Sequence, residues 1–155
     1  MTGSATVERS SPISAMPISK ARPVMLATVD VVLAGDAIEF ALESALEARA
    51  ELIVCHAVGI PVGNPQSASG RGLGAPNVRA DCAAVARRAG ALGIDTRNVL
   101  FNHPRPVAAL IEATTDLGVG LFVFGSDEAA YGRWRYRRHV RRIRRRLACL
   151  VWPLQ

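Results

Sequence analysis

Val24-Met25-Leu26-Ala27-Thr28-Val29-Asp30 is a near-continuous apolar run that stops at a carboxylate. Such runs belong to strands buried on both faces, the usual condition in a parallel sheet. The chain repeats the pattern outward from here. Leu52 to Val58 and Leu121 to Phe124 are further buried runs, Val99 to Phe101 centres another, and Cys149 to Trp152 ends the series. Helical periodicities lie between them. Ile38, Leu42, Ala45 and Leu46 form one apolar stripe behind a cap at Gly35 or Asp36. Val78, Cys82, Val85, Ala89 and Leu92 form a second, stopped by Gly93. Val107, Leu110, Ile111 and Leu117 form a third, entered through Pro104 and Pro106 and stopped by Gly118. Strands alternating with helices predict an α/β domain with a parallel sheet.

The chain has 155 residues, enough for one domain with a proper core. Residues 1–21 carry no apolar periodicity and read as a disordered N-terminal tail, leaving 22–155 as the domain. Residues 59 to 77 hold five glycines and three prolines and form a long loop. Its Gly70-Arg71-Gly72-Leu73-Gly74 segment stands too far from the preceding strand for a phosphate-binding turn and reads as flexible loop.

The net charge of +6 hides an asymmetry. Residues 133–155 carry nine of the 19 basic residues and none of the 13 acidic ones, so residues 1–132 sum to 10 − 13 = −3. That excludes a uniformly basic nucleic-acid binder. No apolar run approaches the roughly 20 residues that span a bilayer, and no signal-peptide core is present, which points to the cytoplasm. Cys55, Cys82 and Cys149 are odd in number, widely spaced and in apolar surroundings, so they read as small buried hydrophobes rather than disulfides or zinc ligands.

Catalysis finds little support. Ser126, Asp127 and His139 are near in sequence, but there is no Gly-x-Ser-x-Gly elbow and no third group to orient the histidine. His56 and His103 lie at strand ends without metal-ligand spacing; His56 reads as a packing residue or as hydrogen-bonded within the fold, and His103, before Pro104, as loop.

Three strand endings carry a resemblance: Ala27-Thr28-Val29-Asp30, Cys55-His56-Ala57 and Phe124-Gly125-Ser126. With the last helix and strand, Val140 to Trp152, their order and spacing from Arg22 to Leu154 resemble the universal stress protein domain. The resemblance implies a Rossmann-like, three-layer fold with a five-stranded parallel sheet in order 3-2-1-4-5. Asp30 and Gly125 would then face each other where strand order reverses, the usual place for a ligand. In ATP-binding members the Asp contacts adenine, and a motif Gly-x2-Gly-x9-Gly-Ser/Thr holds the phosphates. Glycines let the backbone approach phosphate, and the final pair opens a helix whose free amides attract anions.

The motif's length is kept here but its chemistry is not. Gly125 matches, Glu128 stands at the second glycine, and Arg138-His139 replace the Gly-Ser pair. Glu128 would repel phosphate, and Val31-Val32 follow Asp30 where small residues are usual. No cofactor is therefore expected. If ATP or AMP is nonetheless held, the resemblance assigns it Val29, Asp30 and Ala57, then Phe124, Gly125, Ser126 and Glu128, and finally Arg138, His139 and Val140. Slow ATPase activity would follow only from such binding.

Tyr136, Val140, Ile143 and Leu147 step by four, three and four, which is one face of an amphipathic helix with arginines fanned outward. Like charges at i,i+4 destabilise a helix, so the arginines need a counter-charge or a function. Glu39, Glu43, Glu47 and Glu51 form an acidic stripe on the first helix, which the implied topology places on the opposite sheet face. The candidates for a polyanion or an acidic protein partner are Arg133, Arg135 and Arg137, then Arg141 and Arg142, then Arg144, Arg145 and Arg146. Nucleic acid fits chemically, since arginines meet phosphates and Trp134 or Tyr136 can stack on bases. The resemblance also implies a homodimer through the fifth strand, here Leu150, Val151, Trp152 and Leu154, although Pro153 cannot donate a ladder hydrogen bond.

Three functions are thus open. The first is a non-catalytic regulatory or binding protein of the universal stress type that lacks family-style ATP binding. The second is a nucleotide-binding member with altered phosphate contacts. The third is a polyanion or nucleic-acid binder acting through residues 133–146.

Overall fold

The computed structural model describes residues 21–60 and 76–153. The N-terminal tail up to residue 20, the Gly70–Gly74 segment and Leu154 lie outside the described residues.

Five strands, β1 (Val24–Val29), β2 (Leu52–Gly59), β3 (Thr96–His103), β4 (Leu121–Phe124) and β5 (Leu150–Trp152), form one sheet. All neighbours are parallel, in the order β3-β2-β1-β4-β5. β1 is central, and all six of its residues are buried, as a strand covered on both faces requires. Strand order reverses between β1 and β4.

Helices α1 (Gly35–Ala48) and α2 (Pro76–Ala91) cover one face, packing Ala41, Leu42, Val78, Cys82 and Val85 on Leu26, Leu52 and Val54. Helices α3 (Pro106–Asp116) and α5 (Arg133–Arg146) cover the other, where Leu110, Val140 and Ile143 meet Met25, Ile53 and Phe122. A single turn, α4 (Glu128–Tyr131), joins β4 to α5. Val140 and Ile143 are fully buried, and burying each stabilises the fold by about 1.5–3 kcal/mol.

The helix edges differ in detail from the periodicity. The cap of α1 is Ala34, with no side-chain capping bond, and Asp36 sits inside the first turn. Ala37 and Ala41 line its inner face, whereas Leu46 is 44% exposed. Leu92 and Leu117, placed on inner stripes by spacing, stand exposed just beyond their helices. His103 is the last residue of β3 rather than loop, and its Nδ1 accepts from the Arg105 N–H.

Candidate functional site

β4 ends at Phe124, paired with Ala27, so Val29 has no backbone partner on that side. A side chain supplies the missing rung. Ser126 Oγ accepts from the Val29 N–H at 3.0 Å. Thr28 Oγ1 spends its only proton on the Val31 carbonyl at 2.5 Å, so Ser126 is the donor in their 3.0 Å contact. Ser126 is 1% exposed, and its hydroxyl is engaged inside the protein.

The loops after β1 and β4 are tied together. Leu33 and Ser126 form an antiparallel bridge, with Ala34 N–H donating to the Gly125 carbonyl at 2.8 Å and Asp127 N–H to the Val32 carbonyl at 3.0 Å. The Gly125 N–H donates to Ala27 O at 2.6 Å. A Cβ on Gly125 would stand 2.7 Å from Leu26 Cδ1 and from Leu33 Cδ2, so the space over this glycine belongs to leucine side chains. From α2, Asp81 Oδ2 accepts from the Leu33 N–H and holds the first loop down.

Asp30 takes a left-handed backbone, φ 63°, which is uncommon outside glycine. Its Oδ1 accepts from the Gly59 N–H at 2.9 Å, so the carboxylate leans toward the end of β2 rather than toward Gly125. Val29, Ala57 and Phe124 are fully buried and can offer a ligand little beyond backbone. On the α1–α2 side His56 is equally buried, and neither ring nitrogen has a hydrogen-bond partner among the described residues. Burial lowers its pKa and Arg79 adds to this, while Asp30 opposes.

The segment after Gly125 differs from what the resemblance implies. Asp127 caps α4, its Oδ2 accepting from the Ala130 N–H. Gly132, at φ 102°, breaks the chain, and α5 starts at Arg133. Arg138 and His139 therefore lie inside α5, not at its opening, and Val140 is a core residue. Glu128 is exposed and stands 3.7 Å from Arg133. Tyr131 Oη and His139 Nδ1 share a hydrogen bond of 2.5 Å. Burial pushes the Tyr131 phenol up to about 12, and burial first, then Arg135, Arg138 and Arg142, lowers the His139 pKa.

Along α5 the arginines are sparsely compensated. Arg135 lies over the Tyr131 ring at 4.4 Å, Arg138 lies over Trp134 at 5.3 Å, and Arg144 donates to the Pro153 carbonyl. Arg137, Arg141, Arg142, Arg145 and Arg146 have no carboxylate partner among the described residues. Arg137/Arg141, Arg138/Arg142, Arg141/Arg145 and Arg142/Arg146 are like-charge i,i+4 pairs, each costing about 0.2–0.5 kcal/mol. A cavity of about 400 Å³ is lined by Arg138, His139, Arg141, Arg142, Arg145 and Arg146. The acidic stripe is on the opposite face and shorter than its spacing predicts: α1 ends at Ala48, so Glu51 lies beyond the helix and pairs with Arg97, while Glu39 pairs with Arg88, each at 2.6 Å.

At the β5 edge Leu150 is exposed, Val151 is buried and Trp152 is taken up internally, stacked on Phe40 of α1 at 5.2 Å. No group of three metal-ligating side chains exists among the described residues, and no helix among them is long and apolar enough to cross a membrane.

No family model matches the chain, and no curated protein does. Solved structures do. A protein from the universal stress protein family of Burkholderia pseudomallei aligns over 87% of this chain and 96% of its own, at 22% identity and TM-score 0.57. The fold is that of the universal stress proteins. A universal stress protein in complex with cAMP aligns over 86% of this chain and 95% of its own, at 21% identity and TM-score 0.56. The universal stress protein of Archaeoglobus fulgidus in complex with dAMP aligns over 86% and 97%, at 16% identity and TM-score 0.59.

Among residues that sequence reasoning missed, Thr28, Leu33 and Asp81 organise the universal stress fold's crevice here, and Tyr131 orients His139. Only Gly132 signalled its role, as a breaker just before the arginines.

Proposed function

We propose that this chain is a non-catalytic binding protein on the universal stress fold, that it lacks the family-style ATP phosphate cradle, and that α5 is its interaction surface. The observation that carries this reading is the position of Arg138 and His139 inside α5. Anions bind at helix starts because the first amides there have no intrahelical acceptor; amides in the middle of a helix are spent on the preceding turn. Two further observations support it. Ser126, next to the first motif glycine, is buried and fully engaged, and Glu128 adds a negative charge at the second motif position. A cytoplasmic location and a homodimer through Leu150 and Val151 complete the reading. Thermal denaturation with millimolar ATP, AMP and cyclic AMP tests it. No shift and no co-purified nucleotide is the expected result, and a saturable shift overturns it.

The second reading is a nucleotide-binding protein with altered phosphate contacts and slow ATPase activity at most. Its support is that fold neighbours were solved with cAMP and dAMP, and that the Asp30 carboxylate is exposed at the strand end.

A further inference from the structure

We infer that the exposed face of α5 binds single-stranded nucleic acid through its phosphate backbone, with Trp134 as a stacking platform. This rests on the reading that α5 is the interaction surface, and it commits that surface to one occupant.

Six of the α5 arginines without carboxylate partners among the described residues fall into two rows. Arg137, Arg141 and Arg144 lie at steps of four and three, and Arg138, Arg142 and Arg145 run beside them in the same steps. The first row flanks one cavity and the second another, with Arg141 shared between the two. A 14-residue helix is about 21 Å long, so the charge is drawn out along a line rather than gathered around a point. A repeating anion fits a line of cations; a single phosphate does not need one. At the start of the line stands Trp134, 73% exposed, the one large hydrophobic side chain of α5 left in solvent. An exposed aromatic at the end of a cationic track is the arrangement that holds unpaired bases.

Other occupants fit less well. Membrane-surface helices insert an apolar face, and that of α5 is already buried in the protein through Val140 and Ile143. Protein interfaces also use arginine and tryptophan, but a protein partner would have to set a carboxylate against each arginine of the line, whereas a nucleic-acid backbone carries a phosphate at every nucleotide. A second copy would have to bring its acidic stripe, of which Glu39 is already paired internally, as is Glu51 just beyond α1.

The test is fluorescence anisotropy of the full chain with labelled oligothymidylate and oligouridylate, across a salt series. Duplex DNA, heparin and phosphatidylserine vesicles serve as competitors. Neutralising five arginine contacts on a single strand gives a log–log salt slope of about −3.5, so affinity should fall about 100-fold between 50 and 200 mM salt. Arg141→Gln/Arg142→Gln/Arg145→Gln/Arg146→Gln should abolish binding without altering the circular dichroism spectrum. Trp134→Ala should weaken binding at least fivefold while leaving the salt slope unchanged. The two oligonucleotides separate DNA from RNA preference, and binding of either supports the inference. Duplex DNA or vesicles bound more tightly than the oligonucleotides overturn it, as does Trp134→Ala without effect. Heparin binding with no oligonucleotide binding overturns this occupant but leaves α5 as a surface. Loss of every polyanion removes both.

Discussion

The Val29 N–H donates to Ser126 Oγ at 3.0 Å, so a side chain extends the β1–β4 ladder one rung beyond the end of β4. Ser126→Ala leaves that buried amide without an acceptor on this side. Such a loss costs about 1–3 kcal/mol, because the amide is desolvated and unpaired. Urea denaturation followed by circular dichroism should show a lower midpoint with an unchanged slope. An unchanged midpoint would mean that the hydroxyl does not close the ladder.

Gly125 and Leu33 compete for one volume. Gly125→Ala places its methyl 2.7 Å from Leu33 Cδ2 and from Leu26 Cδ1, and overpacking of this kind costs about 1–3 kcal/mol. Leu33→Ala alone removes a buried side chain and should cost about 2–5 kcal/mol. The double variant should lose at least 0.5 kcal/mol less than the sum (roughly the scale of coupling between residues in contact), since the shortened Leu33 makes room for the methyl. Strict additivity in denaturation midpoints would contradict the packing described.

The sheet was legible in the sequence because each strand announces itself locally, as Val24 to Val29 does by being apolar throughout. The face of α5 was legible for the same reason: Val140 and Ile143 keep helical spacing and are buried. What the sequence hid is non-local or depends on a boundary. Leu33 reads as one more apolar loop residue, and only the fold brings it against Ser126, 93 positions later. The pairing of Glu39 with Arg88 and of Glu51 with Arg97 joins elements whose relative height no periodicity reveals. Motif counting put Arg138 and His139 at a helix opening, but Gly132 moved the start of α5 to Arg133 and turned a candidate anion site into helix interior.

Thiol reactivity should separate the cysteines. Burial pushes the Cys55 and Cys82 thiols up to about 12, so almost no thiolate exists at neutral pH and neither is accessible. Cys149 is only partly buried, and its thiol is also raised by burial. A disulfide-exchange reagent at neutral pH should label Cys149 alone in the native protein and slowly, and all three in urea. Rapid native labelling of Cys55 or Cys82 would contradict their burial. Mass spectrometry of peptides identifies the site.

His56 and His139 make stability depend on pH in one direction. Both pKa values are lowered from 6.5, by burial first; Arg79 adds to this at His56, and Arg135, Arg138 and Arg142 add to it at His139. As pH drops through 6.5 the unfolded chain takes up protons that the folded chain refuses. Stability therefore declines from that point downward, until the folded-state values are passed, and is flat for these groups above about pH 7.5. Urea midpoints between about pH 8 and pH 5 should show a plateau and then a fall, before most carboxylates titrate. His56→Leu should flatten part of the fall. At pH 7 the same variant should be neutral or stabilising, since it replaces two buried nitrogens that have no partner among the described residues with apolar atoms. A marked loss of stability at pH 7 would show instead that the imidazole makes a polar contact that the fold needs.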